Sequence, residues 1–303
     1  MAGQQHKHAY LILVHTCPDQ VRKLLTMLDD PRNDIFVHID RKAPFGPEAF
    51  DGCCRHSGLH FLSPRIAIHW GGVSIMRAEL ALLKAATPGG YAFYHLLSGM
   101  DLPIKDQDTI HAFFDAHPDR EFLRFWRLKP TTQSRFRYFT LFPEGAGFFL
   151  TNWVNSMLKG ILMALHLRIN RDIDFHFASQ WFSITHACAT YVLSREAWLE
   201  KVFRHTNTPD EVFLATVIWD SPFRERLYDA QEHVQNQDIY NTANMRFIDW
   251  TRGKSIRHPW VFCADDLDLL LRVPHFWARK FDERVDPVII DRLYEKYEPN
   301  AQD

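Results

Sequence analysis

The sequence predicts an α/β fold: a mostly parallel central sheet with helices on both faces, interrupted by one irregular insertion. Three observations predict it. Short continuous apolar runs alternate with stretches of helical spacing. The first forty residues already form one strand–helix–strand unit. Runs that are apolar at every position, rather than at alternate ones, belong to sheets covered on both sides. At 303 residues, 46% of them hydrophobic and 24% charged, the chain is not mainly disordered. No linker rich in Gly, Pro or Ser divides it, so residues 1–303 read as one domain with an insertion at approximately 127–178.

Tyr10 to Val14 is the first buried strand. Asp19 is placed to cap a helix whose apolar positions Val21, Leu24, Leu25 and Leu28 share a face. Ile35 to Ile39 is the second strand, and the pair implies a right-handed parallel crossover. Ligands of such sheets sit beyond the carboxyl ends of the strands, where His15 and Asp40 fall. Arg65 to Trp70 reads as a strand, Ser74 to Ala86 as a helix, Tyr91 to Leu97 as a strand, Ile110 to Phe114 as helical and Glu121 to Trp126 as a strand. Beyond the insertion come a strand at Gln180 to Thr185, helices at Ala187 to Leu199 and Asp210 to Ile218, and a strand at Met245 to Trp250. Within the insertion, Phe148 to Leu167 is strongly apolar but interrupted by Asn152, Asn155, Ser156 and Lys159. It reads first as a packed helix or oligomer contact and second as a helix resting on a membrane surface. A span would place these polar side chains in the bilayer.

Thirty-five basic residues against 37 acidic ones give a net charge of −2, which excludes the broad basic field of a nucleic-acid binder. Five cysteines without a CxxC pair argue against a disulfide framework or structural zinc. No signal peptide and no long uncharged apolar run is present, so a soluble, cytoplasmic protein is expected, with peripheral membrane contact through Phe148–Leu167 held open. Aromatics are abundant, with 24 Phe and 9 Trp. They fit either a core or a site for a ring-shaped ligand.

Thr208-Pro209-Asp210-Glu211 has the form of a helix start, with Thr208 as N-cap, Pro209 at the first position and Glu211 closing a capping box. The cap alone explains every residue of the motif, and a carboxylate at a helix N-terminus facing a cleft is suited also to act as a general base. Arg257 and Lys280 are cations that would neutralise a diphosphate if they face the cleft of His15 and Asp40. Asp-x-Asp occurs at Asp106/Asp108, Asp172/Asp174 and Asp266/Asp268, but none closes an apolar strand as a metal-holding pair should. His38 and Asp40 share a strand face and make only a weak metal site. No GxGxxG, GxxxxGKS or GxSxG occurs, which disfavours dinucleotide oxidoreductases, kinases and α/β hydrolases.

In order, Ala9-Tyr10 through His15, Phe36-Val37-His38-Ile39-Asp40, Trp70-Gly71-Gly72 with Ser74 and Ala78-Glu79-Leu80, His95 through Lys105, Ser179-Gln180-Trp181-Phe182, Pro209-Asp210-Glu211, Trp250, His258-Pro259 and Phe276 through Asp282 form a set. That set resembles the core-2/I-branching β-1,6-N-acetylglucosaminyltransferase family, shared with the peptide-O-xylosyltransferases. The resemblance implies a GT-A-like fold and an inverting transfer from a UDP-sugar to a hydroxyl of an acceptor; N-acetylglucosamine is the sugar expected and a glycan or lipid-linked saccharide the acceptor expected. It implies no cofactor and no divalent metal. Under it, Glu211 is the catalytic base, and Arg257 and Lys280 hold the donor diphosphate. His15, Asp40, Trp70 and Ser74 fall on the donor nucleotide, and Ser98, Asp101 and Trp250 on the acceptor. Ser98 stands where animal core-2 enzymes have Cys. Competing readings are UDP-xylose as donor, a nucleotide-sugar hydrolase on the same fold, and a carbohydrate- or nucleotide-sugar-binding protein without catalysis.

Overall fold

The computed structural model describes residues 7–144, 149–234, 238–252 and 258–298. Strand β1 (His8–Val14) leads through helix α1 (Pro18–Met27) to β2 (Asn33–Ile39). Then follow β3 (Gly58–Phe61), α2 (Val73–Ala86), β4 (Phe93–Ser98), β5 (Asp101–Pro103) and α3 (Gln107–Asp115). The insertion leaves the body at β6 (Phe125–Trp126), carries α4 (Pro130–Arg137) and α5 (Phe149–Ala164), and returns at β7 (Phe177–Ala178). The remainder is β8 (Ser183–Thr185), α6 (His186–Ser194), α7 (Glu196–Phe203), α8 (Phe213–Trp219), β9 (Arg246–Ile248), α9 (Leu267–Arg272), β10 (Trp277–Arg279) and α10 (Pro287–Tyr297).

The main sheet has the order β3-β2-β1-β4-β8. Its first four strands are parallel, with Ile12 beside Val37 on one side and Leu97 on the other, and β8 closes it antiparallel to β4. This is the mostly parallel arrangement that the GT-A-like expectation requires. All seven residues of β1 are buried because the strand feeds two cores. Ala9, Leu11 and Leu13 pack with Met76, Leu80 and Leu83 of α2 and with α6 and α8. Tyr10, Ile12 and Val14 pack with Val21, Leu24 and Leu25 of α1 and with Ile289 and Leu293 of α10. Successive strand side chains point to opposite faces, so a run without polar alternation demands helices on both sides. A smaller sheet, β5-β10-β9, stands beside the first. Arg246, fully enclosed, joins the two by donating to Ser183 Oγ (2.7 Å) and to the carbonyls of Leu96 (3.2 Å) and Phe182 (2.5 Å). Much of the aromatic surplus is core, since Phe93, Phe114, Phe122 and Trp277 are fully buried and Phe114 meets the other three ring to ring.

Several expectations need correction. Arg65 to Trp70 is not a strand, and the edge strand is β3, one segment earlier. Arg65 instead spends its guanidinium on the carbonyls of Asp40, Ala43 and Phe45, which fixes the segment as a loop over the strand ends. Of Glu121 to Trp126 only β6 is a regular strand, although Glu121 and Phe122 make isolated bridges. The helix expected at Ala187 to Leu199 is two, α6 and α7, which meet at Arg195. The cap of α1 is Cys17 in a left-handed conformation, with Asp19 in the first turn. Phe148, where the apolar segment was taken to begin, lies outside the described residues, as does Arg257.

Candidate active site

The candidate site is built at the carboxyl ends of β1 and β2, where His15 and Asp40 follow the strands. Asp40 is buried, its amide donating to the Val14 carbonyl (2.7 Å) and its Oδ1 accepting from the Lys42 amide (2.8 Å). His15 is exposed beside it. Partial burial lowers its pKa, and the charges of Arg279 and Lys280 lower it further, while Asp40 opposes them. Three of the sequence-predicted groups, His15, Asp40 and Lys280, therefore share one electrostatic neighbourhood.

Strand β10 ends in Arg279 and Lys280 follows it, and the two cations behave differently. Arg279 Nη1 donates to Ser98 Oγ (2.5 Å) and Asp101 Oδ1 (2.6 Å), and its guanidinium lies 4.1 Å over the Trp181 ring. Asp101 Oδ2 in turn accepts from the Ser98 amide (2.6 Å). Ser98 and Asp101, read from sequence as acceptor contacts, are thus buried and committed to clamping Arg279. Lys280 is held by its backbone, which donates to the Trp260 carbonyl (3.3 Å) and accepts from the Phe262 amide (2.9 Å). Its nearest carboxylate, Asp282, is taken by Arg284 through two hydrogen bonds of 2.8 and 2.7 Å. The Lys280 amine has no hydrogen-bond or ion-pair partner among the described residues, and burial together with Arg279 lowers its pKa. A cation left without a partner beside a cleft is available to an anion.

The carboxylates come from the other side. Thr208 has positive φ and caps nothing with its side chain, so the capping-box reading of Thr208 and Glu211 fails. Pro209–Glu211 forms a single 3-10 turn, and α8 starts only at Phe213. The turn is fastened to the start of α2 by the Thr208 amide, 2.8 Å from the Gly71 carbonyl. Burial raises the pKa of Asp210 to about 6, and burial together with the Asp210 charge raises that of Glu211 to about 8. Arg135, from α4, opposes both shifts and donates to Thr208 Oγ1 (3.2 Å). Glu79 of α2 lies fully buried beneath, its Oε1 accepting from Gln180 Nε2 (2.7 Å). Burial, then the Asp210 charge, holds its pKa well above the carboxylate range. Glu79→Gln is therefore expected to fold with less than about 1 kcal/mol lost, because it keeps the acceptor for Gln180. Glu79→Leu leaves that amide unpaired and should cost about 1–3 kcal/mol in a urea titration.

Gln180 and Trp181 join the two halves: one side chain binds the acid cluster and the next lies under Arg279. The sequence pointed to Ser179 through Phe182 only as a motif, not as this bridge. It missed Arg135 altogether, because a single Arg in an irregular insertion carries no spacing signal. Ser74, at the start of α2, has its amide and hydroxyl on the carboxylate of Glu144 (2.8 and 2.6 Å), so a side chain already fills this helix N-terminus. Trp70 is 78% exposed, and Trp250 is half-buried against the α2 core. Among the described residues no three His, Cys, Asp or Glu side chains gather as metal ligands. The Asp-x-Asp carboxylates are engaged locally: Asp106 caps α3, Asp108 pairs with Arg32, and Asp266 accepts from Arg252 and Trp260. His38 accepts from the Ile66 amide (2.9 Å).

Fold and site together define an α/β protein with a cation unpaired among the described residues near the carboxyl ends of β1 and β2 and a half-buried acid pair at the start of α2. The family model described as Core-2/I-Branching enzyme matches residues 8–268, and the chain belongs to that family. It is 26% identical over 319 residues to xylosyltransferase 2 of Rattus norvegicus, an alignment covering 99% of this chain and 35% of that protein. It is 23% identical over 322 residues to the β-1,3-galactosyl-O-glycosyl-glycoprotein β-1,6-N-acetylglucosaminyltransferase 4 of Mus musculus, covering 96% of this chain and 65% of that protein. The chain thus spans about a third of the length of the xylosyltransferases it matches. Among solved structures, mouse xyloside xylosyltransferase 1 in its apo form is similar with a TM-score of 0.37 and 11% identity, covering 89% of this chain and 97% of that one. S. aureus TarS 1–349 in complex with UDP gives 0.29 and 14%, covering 64% and 55%.

Proposed function

We propose that the chain is a glycosyltransferase that moves a sugar from a UDP-sugar to a hydroxyl of a glycan or lipid-linked saccharide, with inversion and without a metal ion. The observation that carries this reading is the Lys280 amine, without a partner among the described residues, in the electrostatic neighbourhood of His15 and Asp40, together with the carboxyl of Glu211 on a turn fastened to the start of α2. Glu211 removes the proton of the acceptor hydroxyl as its oxygen bonds to the anomeric carbon. The bond from that carbon to the diphosphate breaks on the opposite face, and UDP departs with the electron pair. Lys280 and Arg257 take up the charge that develops there. His15, Asp40 and Trp70 are assigned to the nucleotide side and Trp250 to the acceptor, whereas Ser74 is taken by Glu144 and Ser98 and Asp101 act only through Arg279.

N-acetylglucosamine is the donor sugar proposed from the family resemblance. Xylose is the second reading, favoured by the run of xylosyltransferases among the relatives. Calorimetry with UDP-N-acetylglucosamine and UDP-xylose, followed by UDP release with and without a glycan panel, separates them. Acceptor-stimulated UDP release is expected to persist in EDTA. An absolute requirement for added Mn²⁺ would sink the two-cation reading. Release of free sugar that no acceptor stimulates would make the protein a hydrolase, and binding without release a non-catalytic one.

A further inference from the structure

Helix α5 presents large apolar residues to solvent as well as to the protein. Its residues facing the protein include polar ones: Asn155 bonds both the amide and the carbonyl of Phe142 (3.1 and 3.0 Å), and Lys159 Nζ donates to Ser134 Oγ (2.7 Å). Val154, Leu158 and Leu162 are half-buried beside them, and its other large apolar residues face outward. Leu150, Trp153, Met157 and Ile161, at helical spacing, are all exposed, Leu150 by 68% and Trp153 by 56%, and no residue of the helix is buried. Leu165 and Leu167 extend the stripe past the helix end. A soluble helix normally turns this face to the core, and contiguous exposed apolar surface of this kind marks an interaction site.

Charge says which kind. At the carboxyl end of the stripe a cavity of about 640 Å³ is lined by Arg137, Arg168 and Arg171 together with His166 and Met163. Arg137 is held on backbone carbonyls, including that of Ile173 (2.7 Å), and none of the three guanidiniums pairs with a carboxylate of the described residues. Two carboxylates stand near: Asp172, exposed, and Asp174, which faces His176 (3.4 Å). The rim stays cationic. An apolar stripe bordered by unpaired guanidiniums matches acyl chains beneath anionic headgroups. None of the described helices is long and apolar enough to cross a bilayer. We propose that the chain docks peripherally on anionic phospholipid membranes, with the α5 stripe in the interface and Arg168 and Arg171 on lipid phosphates.

The test is flotation with vesicles of three parts phosphatidylcholine to one part phosphatidylglycerol, and with phosphatidylcholine alone. The wild-type chain is expected to float with the anionic vesicles, and brominated lipid is expected to quench its tryptophan fluorescence. Trp153→Glu with Met157→Glu should lower the bound fraction on the order of tenfold or more. Arg168→Glu with Arg171→Glu should lower it on the order of tenfold and remove its salt sensitivity. All four positions are exposed or line an open cavity, so melting temperatures should stay at the wild-type value. Absence of flotation and quenching overturns the proposal, as does flotation that both double variants retain. A dimer in sedimentation velocity that Trp153→Glu dissociates, with no vesicle binding, would assign the face to a second copy instead.

Discussion

Glu211→Gln is expected to lower acceptor-dependent UDP release by roughly 10²–10⁴-fold, the usual contribution of a general base. The amide keeps the shape of the side chain but takes no proton. Stability should move the other way, and linkage gives the sign. The folded-state pKa values of Asp210 and Glu211, about 6 and about 8, lie above their ordinary values of 3.8 and 4.5. Between those limits the folded chain holds protons that the unfolded chain has released. The stability these acids contribute is thus full below about pH 4 and is lost as pH rises through about 8. Glu211→Gln has one ionisation fewer, so its melting temperature should fall less than the wild type's over that window. Catalysis needs the ionised base, so kcat/KM of the wild type should rise with pH through a limb near 8. Asp210→Asn removes the neighbouring charge and should move that limb to lower pH. Unchanged turnover in Glu211→Gln would leave Glu211 a structural acid and end its assignment as base.

Lys280→Ala should cost roughly 10²–10³-fold in kcat, the scale measured for deleting one group that stabilises a departing anion. The geometry makes this variant clean. The amine is engaged by no described residue, and the backbone bonds that fix Lys280 do not involve its side chain. Folding should be untouched, which a thermal melt would check. Arg279→Ala is the contrasting variant: it strips Ser98 and Asp101 of their partner, and its activity loss should come with a lowered melting temperature. If Lys280→Ala kept full kcat and only raised KM, its charge would serve binding alone and the leaving-group role would fall.

The parts of this protein legible in the sequence are those set by local pattern. Continuous apolar runs located β1, β2 and β4, and helical spacing located α1 and α2, because burial on both faces imposes those patterns directly. Strand ends then located His15 and Asp40. What stayed hidden depends on partners distant in sequence. Arg65 to Trp70 has the composition of a strand, but the Arg65 side chain closes onto three carbonyls and no neighbouring strand remains for the ladder. Pro209-Asp210-Glu211 has the local chemistry of a helix cap, yet the bond from Thr208 to Gly71 pulls the turn onto α2 and presents Glu211 differently. Ser98 and Asp101 fall within the family's motif, and only the antiparallel register of β5 and β10, which sets Asp101 opposite Arg279, reveals that they serve that residue.

The two short strands at the base of the insertion have a consequence for how such a chain diversifies. Phe125 faces Ala178 and Trp126 faces Phe177, so everything between leaves and re-enters the body through one hydrogen-bonded gate. The sheet senses where the gate stands, not how much chain hangs from it. Closing a longer loop on fixed ends costs only the logarithm of its length. Helix α5, which buries none of its residues, can therefore be lengthened, shortened or rewritten against a new target while Arg135, Phe136, Glu144 and Phe175 keep their places in the site and the core. That exposed helix is the part of the insertion freest to change, and the one where changes of target would first be written.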